Sequence, residues 1–162
     1  ALDDRYGAGQ VTSRIGLIAD AHKFDPDSDM FAAVTAEHRE RPLACVLVDE
    51  AQFLTRAQVL DLARLADEAG IPVLCYGLRT DFSAELFPGS AALLGIADAL
   101  VELKAVCECG RKATMNLRVD EQGRGVVEGA QTEIGGNDRY VAMCRRHFMA
   151  KRREAAEARA DA

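Results

Sequence analysis

No apolar run in this chain approaches the roughly 18 residues of a membrane span, and its first residues do not read as a secretory h-region. No internal repeat is present. Positive charge is also scarce: 20 Lys and Arg face 26 Asp and Glu, for a net charge of −6. Bulk charge therefore gives no support to non-specific binding of nucleic acid or anionic membrane. The five cysteines are an odd number for a disulfide framework. Three of them fall in short C-x-C and C-x-x-H arrangements, the distribution expected of a reduced, cytoplasmic protein with a metal site. What is there is ordinary for a globular protein: 162 residues, 49% apolar and 28% charged. That is enough for one domain with a core, or one domain and a small appendage. The chain opens on Ala1, and "ALDDRYGAG" reads either as the end of a strand with an active-site loop or as a processed or tagged terminus.

Periodicity predicts an α/β protein. Residues 11–22 look extended. Asp and Ser caps precede Met30, Phe31 and Val34, predicting a helix that closes before Pro42. "LACVLV" (43–48) is a continuous apolar run and reads as a buried parallel strand. Thr55 is an N-cap candidate for a helix with Val59, Leu62, Leu65, Ala66 and Ala69 on one face, stopped by Gly70. "IPVLCYG" (71–77) is then the next buried strand, completing a βαβ unit. A polar loop, a short helix from about Ser90 and a strand over 99–104 follow. Beyond Lys104 the texture changes to a knuckle, a strand, a turn at Glu121–Gly123 and a Gly-rich irregular segment. A helix from Val141 ends in a charged tail with no apolar stripe. The expected division is 1–104 as an α/β domain, 105–150 as a small second domain and 151–162 as a charged tail.

Two constellations carry chemistry. The first is "VLVDEAQF" (46–53), where an apolar strand ends in Asp49 and Glu50. Ligands of α/β sheets bind beyond the carboxyl ends of the strands. One acid there can hold Mg²⁺, as Walker-B acids do, and its neighbour can take a proton from a substrate hydroxyl. A solvated loop that happens to be acidic explains the octapeptide equally well. The second is Cys107 and Cys109 in C-x-C with Cys144 and His147 in C-x-x-H. Three thiolates and one imidazole make a closed tetrahedral Zn²⁺ site, which braces the fold and leaves no position for catalysis. The competing reading is two unrelated pairs of free cysteines. Arg111, Lys112, Arg145 and Arg146 favour thiolate formation nearby. Cys45 and Cys75 lie inside apolar strands and read as core residues. Met115 and Phe148 read as packing, and His22 and His38 as surface positions without a partner.

In order along the chain, "DDRYGAG", "LVDEAQFL", "PVLCYGLRTDF", "LFPGS", "VELKAVCECGRKATM", "IGGNDRY" and "CRRH" resemble the type II thymidine kinase family, the cytosolic zinc-containing deoxynucleoside kinases. The bacterial members are nearest in texture. The resemblance implies a P-loop (RecA-like) parallel sheet with a zinc-binding lasso. It implies transfer of the ATP γ-phosphate to the 5′-hydroxyl of thymidine or deoxyuridine in nucleotide salvage. By the same likeness Glu50 is the general base and Asp49 the Walker-B acid, with Ala51 and Gln52 in the nucleotide-binding segment. Asp3 and Arg5 belong to the loop beside metal and phosphates. Phe53, Leu78, Phe82 and Phe87 line the thymine pocket. Glu133, Ile134, Gly135 and Gly136 form the lasso that reads the base edge, and Tyr140 contacts the substrate. Cys107, Cys109, Cys144 and His147 are the zinc ligands. Structural zinc, Mg-ATP, a cytoplasmic location and a homotetramer are implied in the same way.

The sequence departs from the family at two points. Glu133 puts a charge where the lasso is commonly apolar. The family's initial strand and G-x-x-x-x-G-K-[ST] loop have no counterpart in the 162 residues, so the expectation is an N-terminally truncated chain that is inactive alone. A non-enzymatic zinc-ribbon binding module is the rival reading, and a P-loop ATPase remnant with another substrate is a third.

Overall fold

In a computed structural model of the chain, residues 9–12, 15–103, 105–131 and 139–160 are described. The architecture is α/β, with small parallel and antiparallel sheets. It divides into two compact units, residues 1–78 with 88–98, and residues 79–87 with 99–162.

The first unit begins with an antiparallel pair, β1 (Gln10–Thr12) and β2 (Ile18–Asp20). Helix α1 (Met30–Glu40) starts where expected. The Asp29 carboxylate accepts from the Ala32 N–H at 2.8 Å, satisfying one of the free donors of the first turn. The helix ends at Arg41, because Pro42 disfavours a helical residue before it. Strand β3 (Val46–Val48) pairs in parallel with β4 (Val73–Cys75), and α2 (Arg56–Ala69) connects them, so the predicted βαβ unit is present. Thr55 and Gln58 close a reciprocal capping box on α2, and Gly70 takes the left-handed conformation (φ 65°) that ends it. The Gln58 amide also donates to the Asp25 and Ser28 carbonyls at 2.6 and 3.1 Å, tying the loop before α1 to the start of α2. Helix α3 (Pro88–Ile96) begins earlier than Ser90, with proline in the first turn where its missing N–H costs nothing.

The two β strands depart from expectation in one respect. They are not buried on both faces. Val46, Val48, Val73 and Cys75 pack with Val59, Leu62 and Leu65 of α2, whereas Leu47 is 65% exposed and its register partner Leu74 42%. Alternation puts those leucines on the opposite face, which the described residues leave open. Cys45, expected in the core, precedes the first ladder pair and is exposed. Ala66, expected on the packed face of α2, is also exposed.

The second unit contains β5 (Ala105–Val106) and β6 (Lys112–Ala113), an antiparallel pair whose turn carries the C-x-C. Strand β7 (Met115–Arg118) pairs antiparallel with β8 (Tyr140–Met143), and α4 (Arg145–Ala160) follows. Met115, Leu117, Met143 and the fully buried Phe148 form its core. The turn after β7 falls at Glu121–Gly123 as expected. Asp120 accepts the N–H groups of Gln122 and Arg124 there, both at 2.9 Å. Two expectations fail. The described part of 99–104 is not a strand: Leu100, Val101 and Leu103 are exposed and irregular, with no partner strand among the described residues. Val141–Met143 are strand and not helix, because β7 satisfies their backbone and the helix begins only after Cys144.

Candidate active site and metal centre

In the first unit the end of β3 is tied to the end of β4. The Tyr76 N–H donates to the Val48 carbonyl and the Ala51 N–H to the Tyr76 carbonyl, both at 2.8 Å. Between these bonds Glu50 sits in the left-handed region at φ 54°, ψ 37°. A non-glycine residue held there costs on the order of 1–3 kcal/mol and persists only when its surroundings fix it. A short 3-10 turn, 51–53, comes next. Asp49 and Glu50 are both exposed, and the Glu50 N–H donates to Asp49 Oδ1 at 2.9 Å.

Gln52 is the fixed point behind them. Its side chain is 1% exposed. Its Nε2 donates to Glu50 Oε2, and its Oε1 accepts from the Leu78 N–H at 3.1 Å. Ser90 Oγ donates to the Leu78 carbonyl at 2.6 Å, so both polar groups of the Leu78 backbone are held. Two glycines make room. A Cβ on Gly77 would lie 2.5 Å from Gln52 Oε1, and one on Gly89 would lie 2.5 Å from the Ala51 carbonyl oxygen. The result is a carboxylate aimed by a buried amide, a geometry suited to general-base work. Phe53 is half-buried on the 3-10 turn, and the Leu78 side chain is exposed.

In the second unit Cys107, Cys109, Cys144 and His147 converge. Their ligand atoms all lie within 4.8 Å of one another. Cys107 Sγ is 3.4 Å from His147 Nδ1, and Cys109 Sγ is 3.8 Å from Cys144 Sγ. The edges of a tetrahedron with Zn–S of about 2.3 Å and Zn–N of about 2.0–2.1 Å come to roughly 3.6 Å (S to N) and 3.8 Å (S to S). The donor set therefore fits a tetrahedral metal ion. The backbone N–H groups of Cys109 and Cys144 draw the Cys107 thiol down to about 6, the thiolate character that metal binding needs. Burial pushes the Cys75 thiol up, which suits an inert residue.

Phe82 and Phe87 are buried and Tyr140 is half-buried on β8, all in the second unit. Asp3, Arg5, Glu133, Ile134, Gly135 and Gly136 lie outside the described residues. His38 has a partner that sequence reasoning missed, since its Nδ1 accepts the Leu43 N–H at 3.0 Å. Arg118 was also missed. Its guanidinium lies 3.8 Å from the Phe82 ring centroid and donates to Tyr140 Oη at 3.2 Å. Strict alternation along β7 marks it as a solvent-facing cation; burial against a distant phenyl ring leaves no local signal.

The chain thus combines an α/β fold, an acid pair at the end of a parallel strand and a Cys₃His group that could hold a metal ion. The thymidine kinase family model matches residues 1–148. The chain is 72% identical over 148 residues to the thymidine kinase of Novosphingobium aromaticivorans, covering 91% of this chain and 77% of that one. It is 58% identical over 150 residues to that of Zymomonas mobilis, covering 93% and 78%, and 57% identical over 147 residues to that of Jannaschia sp., covering 91% and 75%. The chain belongs to the thymidine kinase family.

Proposed function

We propose that these residues supply the base, the nucleoside pocket and the metal brace of an enzyme that phosphorylates thymidine. The match of residues 1–148 to the family carries this reading, and the held carboxylate at the strand end supports it. Glu50 takes the proton of the thymidine 5′-hydroxyl. The freed oxygen forms a bond to the γ-phosphorus of ATP as the bond from that phosphorus to the bridging oxygen breaks, and ADP leaves. Asp49 would hold Mg²⁺, which when bound neutralises the phosphate charge. Ala51 and Gln52 shape the turn that presents both acids, with Asp3 and Arg5 proposed beside the phosphates. Phe53 and Leu78 of the first unit and Phe82, Phe87 and Tyr140 of the second are each proposed as thymine contacts, with the backbone of 133–136 proposed at the base edge. The fold proposed for the whole is a P-loop parallel sheet with a lasso. Zinc at Cys107, Cys109, Cys144 and His147 braces the root of that lasso; a segment with little core of its own gains order from the metal. The protein is proposed to be cytoplasmic; among the described residues no helix is long and apolar enough to cross a membrane.

Thymidine titrated into the zinc-loaded chain should give saturable heat and raise its melting temperature. Duplex DNA should do neither. DNA binding without thymidine binding would favour a zinc-ribbon module instead. The 162 residues contain no G-x-x-x-x-G-K-[ST] loop, so in a coupled ADP-release assay they should show little or no turnover by themselves. Robust turnover would refute the dependence on that loop.

A further inference from the structure

Arg118 stands out among the buried polar residues of the second unit. It is 4% exposed, and a guanidinium cannot shed its charge to ease that burial. Its face, its Nε and one terminal nitrogen all have partners. Its Cζ lies over the Phe82 ring, 3.8 Å from the centroid, within cation–π distance. Its Nε donates to Tyr140 Oη at 3.2 Å, and Tyr140 is its register partner across the β7–β8 pair. One terminal nitrogen donates to the Ala130 carbonyl at 2.8 Å and lies 3.5 Å from that of Gln131. The other passes beneath Gly129, where an added Cβ would stand 3.0 Å away and φ is +136°. Only glycine tolerates that conformation, so the chain can cross the guanidinium closely there. Arg118 thus joins three pieces distant in sequence: the loop bearing Phe82, the strand bearing Tyr140 and the chain that enters 132–138.

We infer that Arg118 is a positioning residue for the nucleoside. It fixes the Phe82 ring, the Tyr140 hydroxyl and the Ala130–Gln131 backbone in one arrangement before thymidine arrives. This rests on the proposed reading of Phe82 and Tyr140 as pocket walls. Lysine cannot replace it, because a point ammonium has neither the flat face nor the fork. Preorganisation of this kind acts on affinity by removing the ordering that binding would otherwise require.

The test uses Arg118→Met and Arg118→Lys in the zinc-loaded chain, with two readouts. In calorimetry thymidine affinity should fall by about tenfold or more in Arg118→Met, and Arg118→Lys should recover little of it. Cleavage by a glutamate-specific protease after the exposed Glu128 should accelerate in both variants, with metal content unchanged. A double-mutant cycle with Phe82→Leu should be strongly non-additive, which loss of fold alone would not produce. Wild-type binding matched by Arg118→Met overturns the inference and leaves the thymidine site standing. Faster cleavage with unchanged affinity also overturns it, reducing Arg118 to a loop anchor. A wild-type chain that gives no heat with thymidine overturns the nucleoside reading and this inference together.

Discussion

Gly89→Ala separates helix propensity from packing by sign. Gly89 lies in α3, where propensity alone favours alanine by up to about 1 kcal/mol. The space says the reverse. An added methyl would meet the carbonyl oxygens of Ala51, Leu54 and Gln52 at 2.5, 2.7 and 2.8 Å. All three are backbone atoms of the 3-10 turn and its cap, so no flexible side chain can swing aside. Overpacking of this kind costs about 1–3 kcal/mol, and three backbone clashes under 3 Å put it near the upper end. After the propensity gain, a net loss of about 2 kcal/mol remains. For a unit of this size that lowers the melting temperature by roughly 8–16 °C. Circular dichroism melts give the shift, and faster amide exchange at Leu62 and Leu65 of α2 would assign it to the first unit. The displaced turn is the one that presents Glu50 and carries Phe53, so both proton abstraction and thymidine affinity are expected to suffer. A variant as stable as its parent, or more stable, would show that α3 does not press on the 51–54 turn.

Gln52→Leu removes both bonds of a buried amide and leaves the Leu78 N–H without its acceptor. The expected cost is about 1–3 kcal/mol in urea unfolding, with exchange of the Leu78 amide accelerated; an unchanged Leu78 amide would contradict the geometry. In an active kinase containing these residues, Glu50→Gln should lower kcat by about 10²–10⁴ while leaving the KM for thymidine nearly unaltered. A KM effect alone would make Glu50 a binding group and not the base. Chelation should remove one zinc ion per chain and collapse amide protection in β5–β8, with α1 and α2 keeping theirs. Protection in β5–β8 that survives full metal removal would mean that the ion is not what holds that unit.

Much of the first unit was legible because its signals are local. Thr55, Gln58 and Gly70 bound α2 through contacts within a few residues of each terminus, and Asp29 does the same for α1. The convergence of Cys107, Cys109, Cys144 and His147 was legible because ligand spacing is itself the chemistry. The failures all depend on partners far away in the chain. Leu47 and Leu74 read as core because the apolar run is continuous, yet their burial depends on what covers the second face of the sheet. Leu100, Val101 and Leu103 have strand-like side chains but no described neighbour to pair with. Val141 sits next to a clear helix and was absorbed into it, although a ladder partner on β7 decides its backbone.

The same distinction explains why Asp49 and Glu50 stand out in the sequence while the buried contacts made by Gln52 and Arg118 do not. Asp49 and Glu50 stand out since two acids at the end of an apolar strand violate the expected pattern. Gln52 and Arg118 violate nothing in sequence, as each occupies a position where a polar residue facing water is ordinary. Both are nonetheless almost wholly buried, and each spends its polar atoms on the residues proposed to act: Gln52 on Glu50 and the Leu78 backbone, Arg118 on Phe82 and Tyr140. Buried polar groups with every atom engaged restrict a site to one arrangement, because any other leaves a donor or acceptor unsatisfied at a cost of about 1–3 kcal/mol. Glu50 can therefore be held in the left-handed region before any substrate binds, and the strain at its backbone is offset by the amide behind it. A substitution that preserves the acids but alters this support should erode proton transfer and nucleoside affinity without touching either substrate.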